Sequence, residues 1–183
     1  MLIKSVEMTN SAYTPQDGFP YYYSLVKSID CISLFSSSAT FAFLNSIDEG
    51  KASYRYAPNK WSIKQIIGHI TDHERIKMFR AFSLSRNAQI QLWGYDENFF
   101  VDNSRFDELT KEQLVADYNY VRQASVSFLN TLSESQLNIK GFAGQDEITL
   151  EDFLKSIIGH EVHHLNIIKE RYLDYDSPRN SSL

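Results

Sequence analysis

Apolar residues recur at three- and four-residue spacing in four stretches of the chain, the pattern of a helix that buries one face. The first stretch, about 20–47, begins at Pro20, which suits a first helical turn. It carries Tyr23, Val26, Ile29, Ile32, Leu34, Phe41, Leu44 and Ile47, and Asp48-Glu49-Gly50 closes it. The other three run from Ile63 to Asn87, Lys111 to Leu132 and Leu150 to Tyr175. Each of these opens on helix-start chemistry. Ser62 and Gln65 can cap one another, with Trp61 and Ile66 flanking them as a hydrophobic staple. Thr110 and Gln113 repeat the device, and Thr149 and Asp152 give a weaker version. Helices of about 22 to 28 residues would be about 33 to 42 Å long, the scale of a four-helix bundle. The pattern therefore predicts an all-α fold, a four-helix bundle with a long connection between helices two and three.

That connection, Ala88 to Leu109, is too long for a tight turn and is rich in apolar groups: Ile90, Leu92, Trp93, Tyr95, Phe99, Phe100 and Phe106. Such a segment is expected to pack across the bundle or against a second subunit, with Trp93 as an anchor. Ser133 to Leu137 adds a short helical turn before the last helix. The whole chain, 1–183, reads as a single domain with its core at about 19–175 and frayed ends.

Composition narrows the class. Hydrophobic residues make up 43% and charged residues 22%, ordinary for a globular chain. Seven Gly and four Pro are too few for a turn-rich all-β fold. A net charge of −5 disfavours nucleic acid as a partner. No run approaches the roughly 20 apolar residues of a membrane span, and the start, Met1 to Glu7, lacks the apolar core of a signal peptide. With Cys31 as the one cysteine, an internal disulfide and a cysteine-rich zinc site are excluded, and a cytoplasmic location fits best.

The chemistry lies in the histidines, all five of which fall on two predicted helices. On the fourth helix His164 falls inside the apolar stripe, His160 lies at its edge one turn earlier, and His163 points away. Two imidazoles at i, i+4 can reach one metal ion. On the second helix His73 flanks the stripe and His69 lies slightly farther round, so either could add a third ligand. Each stripe also holds a carboxylate, Glu74 and Glu161, which needs a partner: a buried arginine such as Arg75, Arg80 or Arg171, or a metal-bound histidine. Hydrogen-bonded core histidines are the plainer alternative. His160-Glu161-Val162-His163-His164 also satisfies the zinc-protease pattern H-E-x-x-H. Its third ligand would have to be Glu170 or Asp174, and an all-helical chain offers no strand-lined peptide cleft, so that reading is disfavoured.

The segments Tyr54 to Pro58, Lys60 to Arg75, Gly94 to Asn98 and Gly159 to Tyr172, in this order and spacing, resemble the DinB-like family of four-helix bundles, which includes bacillithiol-transferase-like proteins. The resemblance implies a divalent metal, zinc or nickel, held by His69, His160 and His164 in a cleft between helices. It favours His69 where the helical wheel slightly prefers His73. It also implies a homodimer and a small-molecule substrate, with S-transferase or hydrolase chemistry that a low-molecular-weight thiol or water could supply. The alternative is a metal-binding or structural bundle without turnover.

Overall fold

The computed structural model describes residues 12–87, 94–143 and 145–173. Three long helices and a segmented fourth arm form the bundle. The arm comprises α1 (Phe19–Ser24), α2 (Cys31–Phe35), α3 (Ala39–Ser46) and α4 (Glu49–Ala52). The first long helix is α5 (Ile63–Ser85); a short α6 (Glu97–Asp102) lies in the connection, followed by the second long helix, α7 (Lys111–Leu129). After α8 (Glu134–Leu137) come two short strands, β1 (Lys140–Ala143) and β2 (Asp146–Thr149), and the third long helix, α9 (Leu150–Ile167), which continues as a π-helical turn over Ile168–Leu173. No helix among the described residues is long and apolar enough to cross a membrane.

The helix starts form as their sequences dictate. Ser62 Oγ accepts from the Gln65 N–H at 3.0 Å, and Gln65 Oε1 accepts from the Ser62 N–H at 3.1 Å. Thr110 and Gln113 exchange the same pair of bonds at 3.1 and 2.9 Å. At α9 the Asp152 N–H donates to Thr149 Oγ1 at 3.1 Å. Each bond satisfies a backbone donor that the first helical turn leaves without a partner.

The first stretch departs from the continuous helix its apolar spacing predicts. Asp30 accepts from the Ser33 N–H at 2.8 Å and starts α2 afresh, while Ser37 Oγ accepts from the Ala39 N–H at 3.3 Å ahead of α3. Asp48 does the same for α4 through the Gly50 N–H at 2.8 Å. Short polar side chains offer the backbone local partners that compete with the helical ladder, so the arm bends where they cluster. The hairpin is also a departure from an all-helical reading. Its strands pair antiparallel with Lys140 opposite Thr149, and four residues apiece is too short for an alternating pattern to register.

The apolar core is in two parts along the bundle. One gathers Ile63, Ile66, Ile67 and Ile70 of α5 with Leu114, Val115 and Tyr118 of α7, and with Leu165, Ile168 and Tyr172. The other gathers Val26, Leu34 and Phe35 of the arm with Ala81, Leu129, Leu150, Leu154, Ile157 and Ile158. Along each long helix the residues between the two parts are polar: His73 and Glu74 on α5, Arg122 and Ser125 on α7, His160 and Glu161 on α9, all buried. The bundle thus carries a polar layer at mid-height.

Glycines let the elements around this layer approach. Phe106 of the connection lies on Gly68, where a Cβ would stand 2.4 Å from the ring, and α1 lies on α9 at Gly159. A Cβ there would sit 1.9 Å from the Tyr22 carbonyl oxygen, a backbone atom that cannot swing aside. Gly159→Ala should therefore destabilise the protein by about 2 kcal/mol through overpacking, although alanine in a helix interior normally gains about 1 kcal/mol over glycine. Denaturant unfolding reads the sign, and an unchanged or raised midpoint would show that α1 does not pack on α9 in this way.

Candidate metal centre

Three imidazoles converge at the open side of the polar layer. His69 comes from the second turn of α5, and His160 and His164 stand one turn apart on α9. His69 Nε2 and His164 Nε2 each lie 3.2 Å from His160 Nε2, and one nitrogen from every ring falls within 4.8 Å of the others. His73 is not part of this group. It stacks on His160 with centroids 3.6 Å apart and ring planes 12° apart, so the family position rather than the helical wheel points to the ring that joins the cluster. His163, which the wheel turns away from the core, bonds through Nδ1 to the Tyr21 hydroxyl at 3.2 Å and lines the rim of the same cavity.

The donor set suits a divalent ion. Two nitrogens on one tetrahedral zinc, each at about 2.0–2.1 Å, stand about 3.4 Å apart, close to the 3.2 Å separations of His69 and His164 from His160. Burial holds the rings neutral: it lowers His69 to about 4, with the nearby His163 adding to the effect. Burial likewise places His160 and His164 well below the ordinary imidazole range. A neutral imidazole keeps the lone pair that a metal requires. The remaining nitrogens, Nδ1 of His160 and His164, are buried with no hydrogen-bond partner among the described residues. Ring packing orients these imidazoles instead: His73 lies against His160, Tyr22 meets it edge-on at 5.0 Å, and Trp61 stacks at 6.4 Å from His164.

The cluster faces a cavity of about 360 Å³ whose other walls include Tyr22, Trp61, Lys77, Tyr95 and Glu97. That volume is in the range of small-molecule sites. A larger groove of about 560 Å³ between α5 and α7, beside Arg75 and Asp117, contains no such group of ring nitrogens. The connection contributes to the cavity through Tyr95 and Glu97, while Asp96 is occupied in capping α6 by accepting from the Asn98 and Phe99 N–H groups at 2.9 and 3.1 Å. Ile90, Leu92, Trp93 and Asp174 lie outside the described residues.

The two stripe carboxylates share one cation on the other side of the layer. Arg122 reaches Glu74 through Nε at 3.1 Å and Nη2 at 2.9 Å, and its Nη2 also donates to Glu161. Thr40 and Tyr118 donate their hydroxyls to Glu161 as well. Burial, with the Glu161 charge beside it, pushes the Tyr118 hydroxyl well above its ordinary range, so it stays a donor. Arg122, and not Arg75, Arg80 or Arg171, is thus the partner the carboxylates need; Arg75 pairs instead with Asp72 and Asp117. Glu161 is fully engaged away from the imidazoles, which removes the base that a zinc-protease reading of H-E-x-x-H requires. The sequence did carry a signal for Arg122, since it stands in line with Leu114, Tyr118, Ser125 and Leu129 on the buried face of α7.

The sequence model of the DinB superfamily matches residues 36–168, a span that contains all three converging histidines and the Arg122 cluster. The chain belongs to the DinB superfamily. Among solved structures, this DinB-superfamily chain is similar to YfiT from Bacillus subtilis, described as "a probable metal-dependent hydrolase with an unusual four-helix bundle topology". The TM-score is 0.64 at 15% identity, over 88% of this chain and 90% of that one, so the likeness is one of fold. No curated protein matches the chain.

The Arg122 cluster makes a stability test. Arg122→Met strands two buried carboxylates and should cost about 3–5 kcal/mol in chemical unfolding, whereas adding Glu74→Leu and Glu161→Met should recover most of that loss. A single Arg122→Met variant of unchanged stability would show that the pairs are not formed.

Proposed function

We propose that the chain is a metal-dependent enzyme acting on a small molecule, with His69, His160 and His164 holding one divalent ion. The observation that carries this reading is the convergence of three neutral imidazole nitrogens, from two helices, at the wall of a 360 Å³ cavity. Three protein ligands leave a coordination position for water or substrate, as in catalytic rather than structural sites. The ion would supply a lowered pKa for a water or thiol held there, giving a nucleophile at neutral pH.

The chain's own residues set the conditions for that chemistry. Trp61 and Tyr22 cover the imidazoles and limit access of bulk water, so charge interactions in the cavity act at a lower effective dielectric. His73, held neutral by burial and stacked on His160, fixes that ring's orientation. Hydrolysis, the activity ascribed to YfiT, is the first reaction class to test, with S-transfer from a low-molecular-weight thiol the second. Zinc and nickel are the candidate ions, and a cytoplasmic homodimer is the proposed acting form. In sedimentation such a dimer would run near twice the 21.2 kDa chain mass.

Elemental analysis of the purified protein should find about one divalent ion per chain. His69→Ala, His160→Ala and His164→Ala should each lose it, while His73→Ala and His163→Ala keep it. Full metal content in the three ligand variants, or loss on His73→Ala alone, would overturn the assignment. Ester hydrolysis and thiol conjugation, each assayed with and without chelator, then separate the two reaction classes; metal binding with neither activity would leave a non-catalytic metal protein.

A further inference from the structure

Lys77 lies one turn beyond His73 and two beyond His69 on α5, which places it on the helix face that carries those rings. It lines the cavity with the three histidines, and its Nζ sits 5.6 Å from the centre of the Phe153 ring. Three other buried or half-buried cations are matched by carboxylates: Lys64 by Glu49, Lys155 by Glu151, and Arg122 by Glu74 and Glu161. Lys77 has no carboxylate within ion-pair distance among the described residues. Burial, with Arg80 nearby, lowers its ammonium to about 8, the direction expected of a desolvated cation with a like charge beside it.

A half-buried ammonium without a counter-ion is costly, and an anion entering the cavity relieves that cost. The other walls narrow the kind of anion. Trp61, Tyr22 and Tyr95 present aromatic surface suited to an apolar body. Glu97 also lines the cavity, and its charge acts on Tyr22 and Tyr95 rather than on Lys77. Its negative charge disfavours ligands that carry more than one. From this arrangement, and resting on the metal-enzyme reading above, we propose that Lys77 is a specificity-determining residue that selects small monocarboxylates with an apolar or aromatic body as substrates of the histidine site.

The test uses three probes on the metal-loaded protein: phenylacetate, its neutral analogue phenylacetamide, and phenyl phosphate. Calorimetry gives the affinities, and quenching of tryptophan fluorescence reports occupation beside Trp61. Phenylacetate should bind at least about tenfold more tightly than the amide, a difference of about 1.4 kcal/mol, and more tightly than phenyl phosphate. Lys77→Met should abolish the preference for carboxylate over amide while leaving metal content unchanged, and Lys77→Arg should retain it in part. Because Lys77 has no carboxylate partner among the described residues, Lys77→Met should also melt at or above the temperature of the unsubstituted protein.

A carboxylate preference that survives in Lys77→Met would overturn the proposal, since the anion would then be held elsewhere, on the metal for example. Absence of any such preference, or tighter binding of phenyl phosphate, would overturn it too. Repeating the titration after metal removal separates this proposal from the one it rests on. A Lys77-dependent preference in a protein that fails to bind metal would support the anion site and sink the metal-enzyme reading.

Discussion

The geometry of the mid-height layer depends on one guanidinium held between two carboxylates. Arg122 on α7 reaches Glu74 on α5 and Glu161 on α9, and all three side chains are buried, so the three long helices meet at a single cation. Burying these charges is expensive, and removing one partner would leave the others uncompensated in a low-dielectric interior. Sliding any one of the three helices along its axis would break the cluster, which ties their relative heights. His73 and His160 immediately precede Glu74 and Glu161 in the chain, about 100° round the helix, so fixing the carboxylates also fixes the imidazoles. The two sides of the layer thereby divide the work: a dry ionic side sets helix register, and an open side presents ring nitrogens to a cavity.

Desolvation, the same physical effect, acts on both sides with different results. On the ionic side it is offset by charge pairing, so ions persist. On the cavity side no carboxylate among the described residues pairs with the rings, although Glu97 lines the same cavity, and burial drives the imidazoles neutral. Lys77 sits at the edge of that side, where a cation is kept but weakened. The aromatic residues around the cavity orient the rings through packing, a role that carboxylates or carbonyls commonly fill at metal-bound histidines. A bundle built in this way can keep its fold while the walls of the cavity change. The likeness to YfiT, which extends over most of both chains at 15% identity, is one of fold.

Much of this was legible in the sequence. Apolar spacing and the Ser62–Gln65, Thr110–Gln113 and Thr149–Asp152 pairs located α5, α7 and α9, because both signals are local and rest on side chains a few positions apart. The i, i+4 pair His160 and His164 was equally local. The bends in the first arm were harder to read, since Asp30 and Ser37 act through single side-chain bonds that spacing alone does not reveal.

What only the tertiary structure decided are the meetings between distant segments. His69 and His160 are 91 positions apart, and the helical wheel, which knows one helix at a time, slightly preferred His73. The partner of Glu74 and Glu161 came from α7, and the cavity gained Tyr95 from the connection and Tyr22 from α1, which packs closely on α9 at Gly159. A sequence encodes which face of a helix is buried through the period of its apolar residues. Which buried groups face one another depends on rotation and height between packed helices, and those are set by the sum of many contacts together with the Arg122 cluster.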